Sequence, residues 1–295
     1  MLAGPLAGRL DRSDATWRHG FLDGLRIAYD FGADDTSFDA AQLLAEVFAH
    51  PSSRLLRSLT VGVPTSGEVV YDDVISVIAS GAPETLSTLF IGDFSYPDET
   101  EMSWAKVGDA SPLWLALPNL EDVTFQGAEI ALGVLEAPSL RRLALRTGGL
   151  MKEPVQAITN GLLPKLEELE LWLGDQSYGA EVTAADLAGI LAGSLRSLTR
   201  LAIKNADVET DLCELIVGSR ALPGLRALDL SLGTLDDDGA AVLLRSRNHL
   251  AGLEVLDVSR CCLSPSMCGQ LRSAFPMVQL DSQRGADGRY VAVSE

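Results

Sequence analysis

Three histidines (His19, His50 and His249) and four cysteines are all that the 295 residues offer to soft-metal chemistry, and the cysteines include no C-x-x-C pair. None of these residues stands at a metal-ligand spacing, so the sequence describes neither a zinc module nor a disulfide scaffold. No metal and no cofactor are expected. A phosphate-cradling G-x-x-x-x-G-K-[ST] loop is missing as well. No run of 18 apolar residues occurs, and the opening MLAGPLAGRLDRSD has neither the basic nor the apolar region of a secretory signal. Both absences point to a cytoplasmic chain with reduced thiols. Basic residues are scarce too: 23 Lys and Arg stand against 41 Asp and Glu, a net charge of -18. That charge repels nucleic acid and anionic membranes, which leaves a neutral or basic protein, of unknown identity, as the expected partner.

What the chain does have is repetition. The pattern L-x-x-L-x-L, with aliphatic or Phe substitutes, begins at Leu22, Leu56, Leu86, Leu120, Leu140, Leu166, Leu198, Leu225 and Leu253, and degenerately at Phe275. Successive starts lie 20 to 34 residues apart, scattered about the period of a leucine-rich repeat with several insertions. The L-x-L step puts two side chains on one face of a short strand and leaves the residue between them on the other. Helical patterns follow several strands, as in VTAADLAGILAG (182–193), TDLCELIVGS (210–219) and DDDGAAVLLRSR (236–247). The expected fold is α/β: a leucine-rich-repeat solenoid, or horseshoe, of about ten repeats with a parallel concave sheet and convex helices. A single domain is expected over 1–295, with an N-terminal cap (1–21), repeats (22–280) and a C-terminal cap (281–295). One repeat cannot bury its own apolar face, so neighbours must stack.

The repeat accounts for the adjacent pair Cys261 and Cys262. Counting from Leu253, Cys261 is ninth in L-x-x-L-x-L-x-x-N/C-x-L, a slot that points inward. Other repeats fill it with Ala128, Gly148, Gly174, Ala206 and Gly233. A small buried side chain is what the slot accepts, and Cys262 is expected to point the other way. Cys213 and Cys268 fall in helical patterns and read as core.

The stretches LFIGDFSYPDETEMSW (89–104), LEELELWLGDQSYGAEVTAADL (166–187) and LDLSLGTLDDDGAAVLL (228–244) resemble a family of bacterial leucine-rich-repeat proteins, as do TWRHGFLDGLRI near the start and RYVAVSE at the end. The resemblance covers almost the whole chain. It implies a ribonuclease-inhibitor-like horseshoe with strands inside and helices outside, and it brings no catalytic residue. The inward Asn ladder of the standard repeat is replaced here by Gly, Ala and one Cys.

Candidate binding residues come from stacking equivalent positions into rows. Acids follow the strands, at Asp34, Asp35, Asp72, Asp73, Asp93, Asp98, Glu99, Glu101, Asp175, Asp207, Glu209, Asp211 and Asp236 to Asp238, and bases precede them. This order suits helix macrodipoles and caps, and it also makes an acidic edge. Insertions after repeats three and six follow Gly92-Asp93 and Gly174-Asp175 and present Tyr96, Trp104 and Tyr178, either as binding residues or as plugs over the core. Positions three, five and seven of each repeat face the open side of the sheet. Repeats five to seven place Arg142, Arg146, Glu168, Glu170, Trp172, Arg200 and Lys204 there, with Phe90 two rows earlier. The expected function is a non-enzymatic protein-interaction module that binds its partner on this concave face and the strand-to-helix loops, with Trp172 as anchor. The alternative is an enzyme or enzyme regulator, of hydrolase or GTPase-activating type, using the acidic edge with or without a divalent metal.

Overall fold

The computed structural model describes residues 15–32, 36–207, 210–284 and 290–293. Asp34, Asp35 and Glu209 of the acidic row, and parts of both expected caps, lie outside the described residues. The chain divides into two compact units, Met1–Leu140 with Gly161–Leu163 and Arg141–Asn160 with Pro164–Glu295.

In chain order the first unit contains β1 (Ala15–Arg18), β2 (Phe21–Ile27), α1 (Ala40–Ala49), β3 (Ser58–Val61), α2 (Asp72–Gly81) and β4 (Thr88–Ile91). There follow β5 (Lys106–Asp109), α3 (Pro112–Ala116), β6 (Asp122–Gln126) and β7 (Ala128–Ala131). β1 and β2 form an antiparallel hairpin whose turn residues, His19 and Gly20, have φ of 52° and 84°, the left-handed pair that two-residue hairpin turns require. From β2 onward the pairing is parallel, through β3 and β4 to β6, with Leu25, Leu59, Leu89 and Val123 in register. α1 and α2 close the other side of this core with Leu43, Leu44 and Val47, and with Val74, Ile75 and Ile78. Past β4 the outer layer changes: β5 and β7 pair as a small parallel sheet. KVGD and AEIA are four-residue strands with weak alternation, so their pairing leaves little trace in the sequence. Trp114 backs this region, donating its indole N–H to the Leu132 carbonyl at 2.8 Å.

The second unit contains β8 (Arg142–Arg146), α4 (Lys152–Asn160), β9 (Glu168–Trp172), α5 (Ala184–Gly189), β10 (Arg200–Lys204) and α6 (Thr210–Val217). It ends with β11 (Ala227–Asp229), α7 (Asp237–Arg245), β12 (Val255–Asp257), α8 (Pro265–Ala274) and β13 (Val278–Gln279). The strands pair in parallel and in chain order, with Leu143, Leu169, Leu201, Leu228, Leu256 and Val278 in one register. The three helical patterns expected after Glu181, Glu209 and Leu235 form α5, α6 and α7. Thr183 and Asp186 make a capping box on α5, and Asp236 accepts from the N–H groups of Asp238 and Gly239 at the start of α7.

All ten expected repeats supply a strand. Of their L-x-x-L-x-L positions only Leu253 and Val278, in the last two repeats, are not fully buried. No described helix is long and apolar enough to cross a membrane.

All four thiols are free and buried. Cys261 occupies the inward slot with its Sγ 3.3 Å from the Leu230 carbonyl, and burial pushes the Cys213 and Cys261 thiols up to about 12. Such thiols stay protonated at neutral pH and are poor nucleophiles. Cys262 is buried as well, only 6% exposed, with its N–H donating to the Leu235 carbonyl at 2.9 Å. Nor is asparagine absent from the interior. Asn205, one residue before the slot in repeat seven, is fully buried with φ 51°. Its Oδ1 accepts from the Val293 N–H at 2.8 Å and its Nδ2 donates to the Val293 carbonyl. The Ala292 N–H reaches the Leu232 carbonyl at 2.9 Å, so residues 290–293 are tied back to repeats seven and eight.

Two consequences are measurable by chemical denaturation. Cys261→Ala should fold and lose about 1–2 kcal/mol, a small truncation plus one weak hydrogen bond; loss of folding under reductant or stoichiometric zinc would contradict a structural thiol. Asn205→Ala strands both main-chain groups of Val293 and should cost at least about 2 kcal/mol. An unchanged midpoint would mean that the C-terminal segment adds nothing to stability.

Candidate functional site

On the open face of the second unit, β8, β9 and β10 lie side by side, so residues of equal rank in successive repeats become neighbours. Arg142, Glu168 and Arg200 form one row; Arg146, Trp172 and Lys204 form another, the pair Trp172 and Lys204 being in direct register. Between the rows, Ala144, Glu170 and Ala202 are in register and extend to Asp229 and Asp257.

This spacing of about 4.8 Å between strands lets long side chains cross-link the rows. Arg146 Nε lies 2.9 Å from Glu170 Oε1, and Arg142 Nη2 is 3.4 Å from Glu170 Oε2. Arg200 Nε reaches Glu168 at 3.1 Å, and Lys204 Nζ reaches Asp229 at 3.1 Å. Trp172 sits within this net. Its indole N–H donates to Glu170 Oε1 at 2.8 Å, and its ring has the Arg146 guanidinium 6.0 Å away and the Lys204 ammonium 5.9 Å away. A ring at that distance from cations on both neighbouring strands gains cation–π attraction as well as a hydrogen bond that fixes its plane. Burial alone would raise the Glu170 carboxyl. The hydrogen bond and charge of Arg146, the Lys204 charge and the indole N–H outweigh it and hold the group below its usual range.

On the same face the small side chains of Ala202 and Ala227 leave a groove of about 240 Å³, lined also by Glu168, Asp229, Asp257 and Glu170, the acceptor for the Trp172 indole.

The other candidates are placed differently. Asp175 accepts from the Ser177 N–H at 2.7 Å, capping a short 3-10 turn, and the following loop packs against the 148–150 backbone. Gly174 has φ 74°, and a methyl group there would collide with the Gly148 carbonyl, so this Gly-Asp pair is a tight turn that only glycine allows. Tyr178 is half-buried in this loop.

In the first unit Phe90 is half-buried on β4, between Thr60 and Thr124. Asp93 is bound to Arg26, Nε to Oδ2 at 2.6 Å, a reach that passes over Gly62, where a Cβ would lie 2.9 Å from the Asp93 carbonyl. Within the 93–105 insertion Phe94 and Met102 turn into the core, Tyr96 is half-buried and Trp104 is 70% exposed. Part of the acidic edge is thus engaged locally: Asp175 and Asp236 cap turns, Asp93 pairs with Arg26, Asp207 accepts from the Thr234 hydroxyl, and Asp237 accepts from the Ser264 N–H at 2.8 Å. Among the described residues no three His, Cys, Asp or Glu side chains gather where a metal ion could be held.

No family model and no curated protein matches the sequence. A solved structure does: a Bacteroides fragilis protein superposes with a TM-score of 0.81 at 23% identity, over 92% of this chain and 77% of that one. The leucine-rich-repeat protein LegL7 of Legionella pneumophila gives 0.41 at 15% identity, over 91% of this chain and 92% of that one. An internalin of Listeria monocytogenes gives 0.35 at 14%, over 90% and 82%. The chain has the leucine-rich-repeat fold. Within each unit its L-x-x-L-x-L strands lie parallel and in register, the first unit from β2 onward, as that fold requires.

Within a leucine-rich repeat the open-face positions can be read column by column. Reading only as far as repeat seven misses Asp229 and Asp257, which stand at position five of repeats eight and nine. It also misses the groove, because Ala202 and Ala227 matter by being small. Glu170 provides the check on the charge net. Its folded-state pKa is the lower one, so it stabilises the fold above the value of an unfolded glutamate, and that contribution vanishes as pH falls through the depressed value. Melting temperatures followed from about pH 6 down to about pH 3 should fall less steeply for Glu170→Gln than for the native chain. Equal slopes would show that the carboxylate is not held by its cations.

Proposed function

We propose that the chain is a protein-interaction module and that its partner docks on the open face of the second unit, with Trp172 as the anchor. The observation that carries this reading is the immobilised indole: Trp172 is half-exposed, hydrogen-bonded to Glu170 and flanked by Arg146 and Lys204. A side chain ordered before binding costs little further entropy on association. Trp and Arg are also the residue types that dominate interface energetics. Arg142, Glu168 and Arg200 supply a polar rim, and Asp175 and Tyr178 stand in a loop of the same unit. In the first unit Phe90, Asp93, Tyr96 and Trp104 form a separate candidate surface. Four buried, protonated thiols suit a reducing, cytoplasmic setting. The reading of an enzyme or enzyme regulator built on the acidic edge has less to draw on, since several of those acids are engaged in caps, hydrogen bonds and an ion pair.

Trp172→Ala should keep the native melting curve, because the ring lies on the open face rather than in the core, yet lose at least about 2 kcal/mol of affinity for a partner captured by the native chain. Titration calorimetry with that partner is the measurement. Undiminished binding by Trp172→Ala, together with loss on charge reversal at Asp93, Asp98 and Asp175, would move the site to the acidic loops.

A further inference from the structure

The groove beyond Glu170 has an uneven pairing of charges that suggests what enters it. Four acids line it (Glu168, Glu170, Asp229 and Asp257) with two bases (Arg142 and Arg200), and Arg146 and Lys204 reach its acids from the next row, yet Glu170 takes two of these bases and Asp257 none. Most of these groups already have partners. Arg200 binds Glu168, Arg146 and Arg142 bind Glu170, and Lys204 binds Asp229 from the next row. Asp257 makes no ion pair among the described residues. One of its oxygens accepts from the Ser259 N–H at 2.8 Å, which fixes the carboxylate at the start of the turn after β12. It also stands in register with Asp229 on the adjacent strand, where like charges directly opposite one another destabilise a sheet. The floor between Glu170 and this acid pair is Ala202 and Ala227, which leaves room for one long side chain in the 240 Å³ available.

We propose, building on the docking face above, that this groove receives an arginine side chain from the partner, with its guanidinium paired to Asp257 and Asp229. Lysine fits the charge but not the geometry. Two carboxylates on neighbouring strands present several acceptor oxygens in a row, which a planar five-donor fork engages and a single ammonium does not. An acidic or phosphorylated segment would meet the Asp229 and Asp257 pair head-on. The net charge of -18 adds a long-range field that favours approach of a basic segment.

A random peptide library panned against the whole protein provides the probe. Selected peptides should be enriched in arginine, bind less tightly as salt is raised, and weaken about tenfold or more on Asp257→Asn. That variant removes the charge while keeping the side-chain oxygen that accepts from Ser259, and its melting temperature should be no lower than the native one. Replacing the selected arginine by lysine should weaken binding more than a change of non-basic positions. Peptides that lack basic residues, or that bind Asp257→Asn unchanged but are lost on Trp172→Ala, would overturn the arginine assignment and leave the docking face standing. Peptides indifferent to both variants, or no selectable peptide, would overturn the two together.

Discussion

Each repeat contributes one short strand and one outer segment, and neither can bury its apolar side within a single repeat. Lateral register between successive strands is therefore the constraint on which everything else depends. Leu25, Leu59, Leu89 and Val123 lie side by side in the first unit, and Leu143, Leu169, Leu201, Leu228, Leu256 and Val278 in the second. A slip of one residue would turn that column out to solvent and bring Glu168, Glu170 or Arg200 into the core. The burial of nearly every L-x-x-L-x-L side chain shows how completely one register satisfies the sequence.

The same register that stacks leucines on the inside stacks polar residues on the outside. Because the side-chain period along a strand is two, fixing the leucines also fixes Arg146, Trp172 and Lys204 as a row, and Glu170, Ala202, Asp229 and Asp257 as another. The charge net around Trp172 is thus a consequence of core packing, with each ion pair bridging two repeats. Partly exposed pairs of this kind contribute little stability singly. Their effect is to hold an indole and its neighbours in one arrangement, which is what a recognition surface needs.

The two ends of the described chain handle unsatisfied edges differently. An antiparallel hairpin at Ala15–Ile27 covers one side of β2 with a strand of its own. At the other end, Val293 completes its main-chain hydrogen bonding through the buried amide of Asn205. Both devices depend on residues in left-handed conformation, Gly20 at the hairpin turn and Asn205 at the strand end, and both satisfy polar groups that the repeats themselves leave over.

The sequence by itself determined the repeat: period, strand positions, inward slot and the helical patterns at 182–193, 210–219 and 236–247 all follow from local spacing, because a 2-residue or 3.6-residue apolar period is visible in a single chain. It also determined which residues share a row on the open face, Arg142 with Glu168 and Trp172 with Lys204 among them. Tertiary structure alone decided what those rows do. That Arg146 and Lys204 flank Trp172, that Asp93 is claimed by Arg26 across Gly62, that Cys262 is buried and that Asn205 holds Val293 all rest on contacts between residues distant in sequence. So does the groove over Ala202 and Ala227, since a space is defined by its walls and no local pattern records it. The pairing of β5 with β7 was hidden for a related reason: two four-residue strands of weak periodicity acquire their partner only when the surrounding repeats have brought them together.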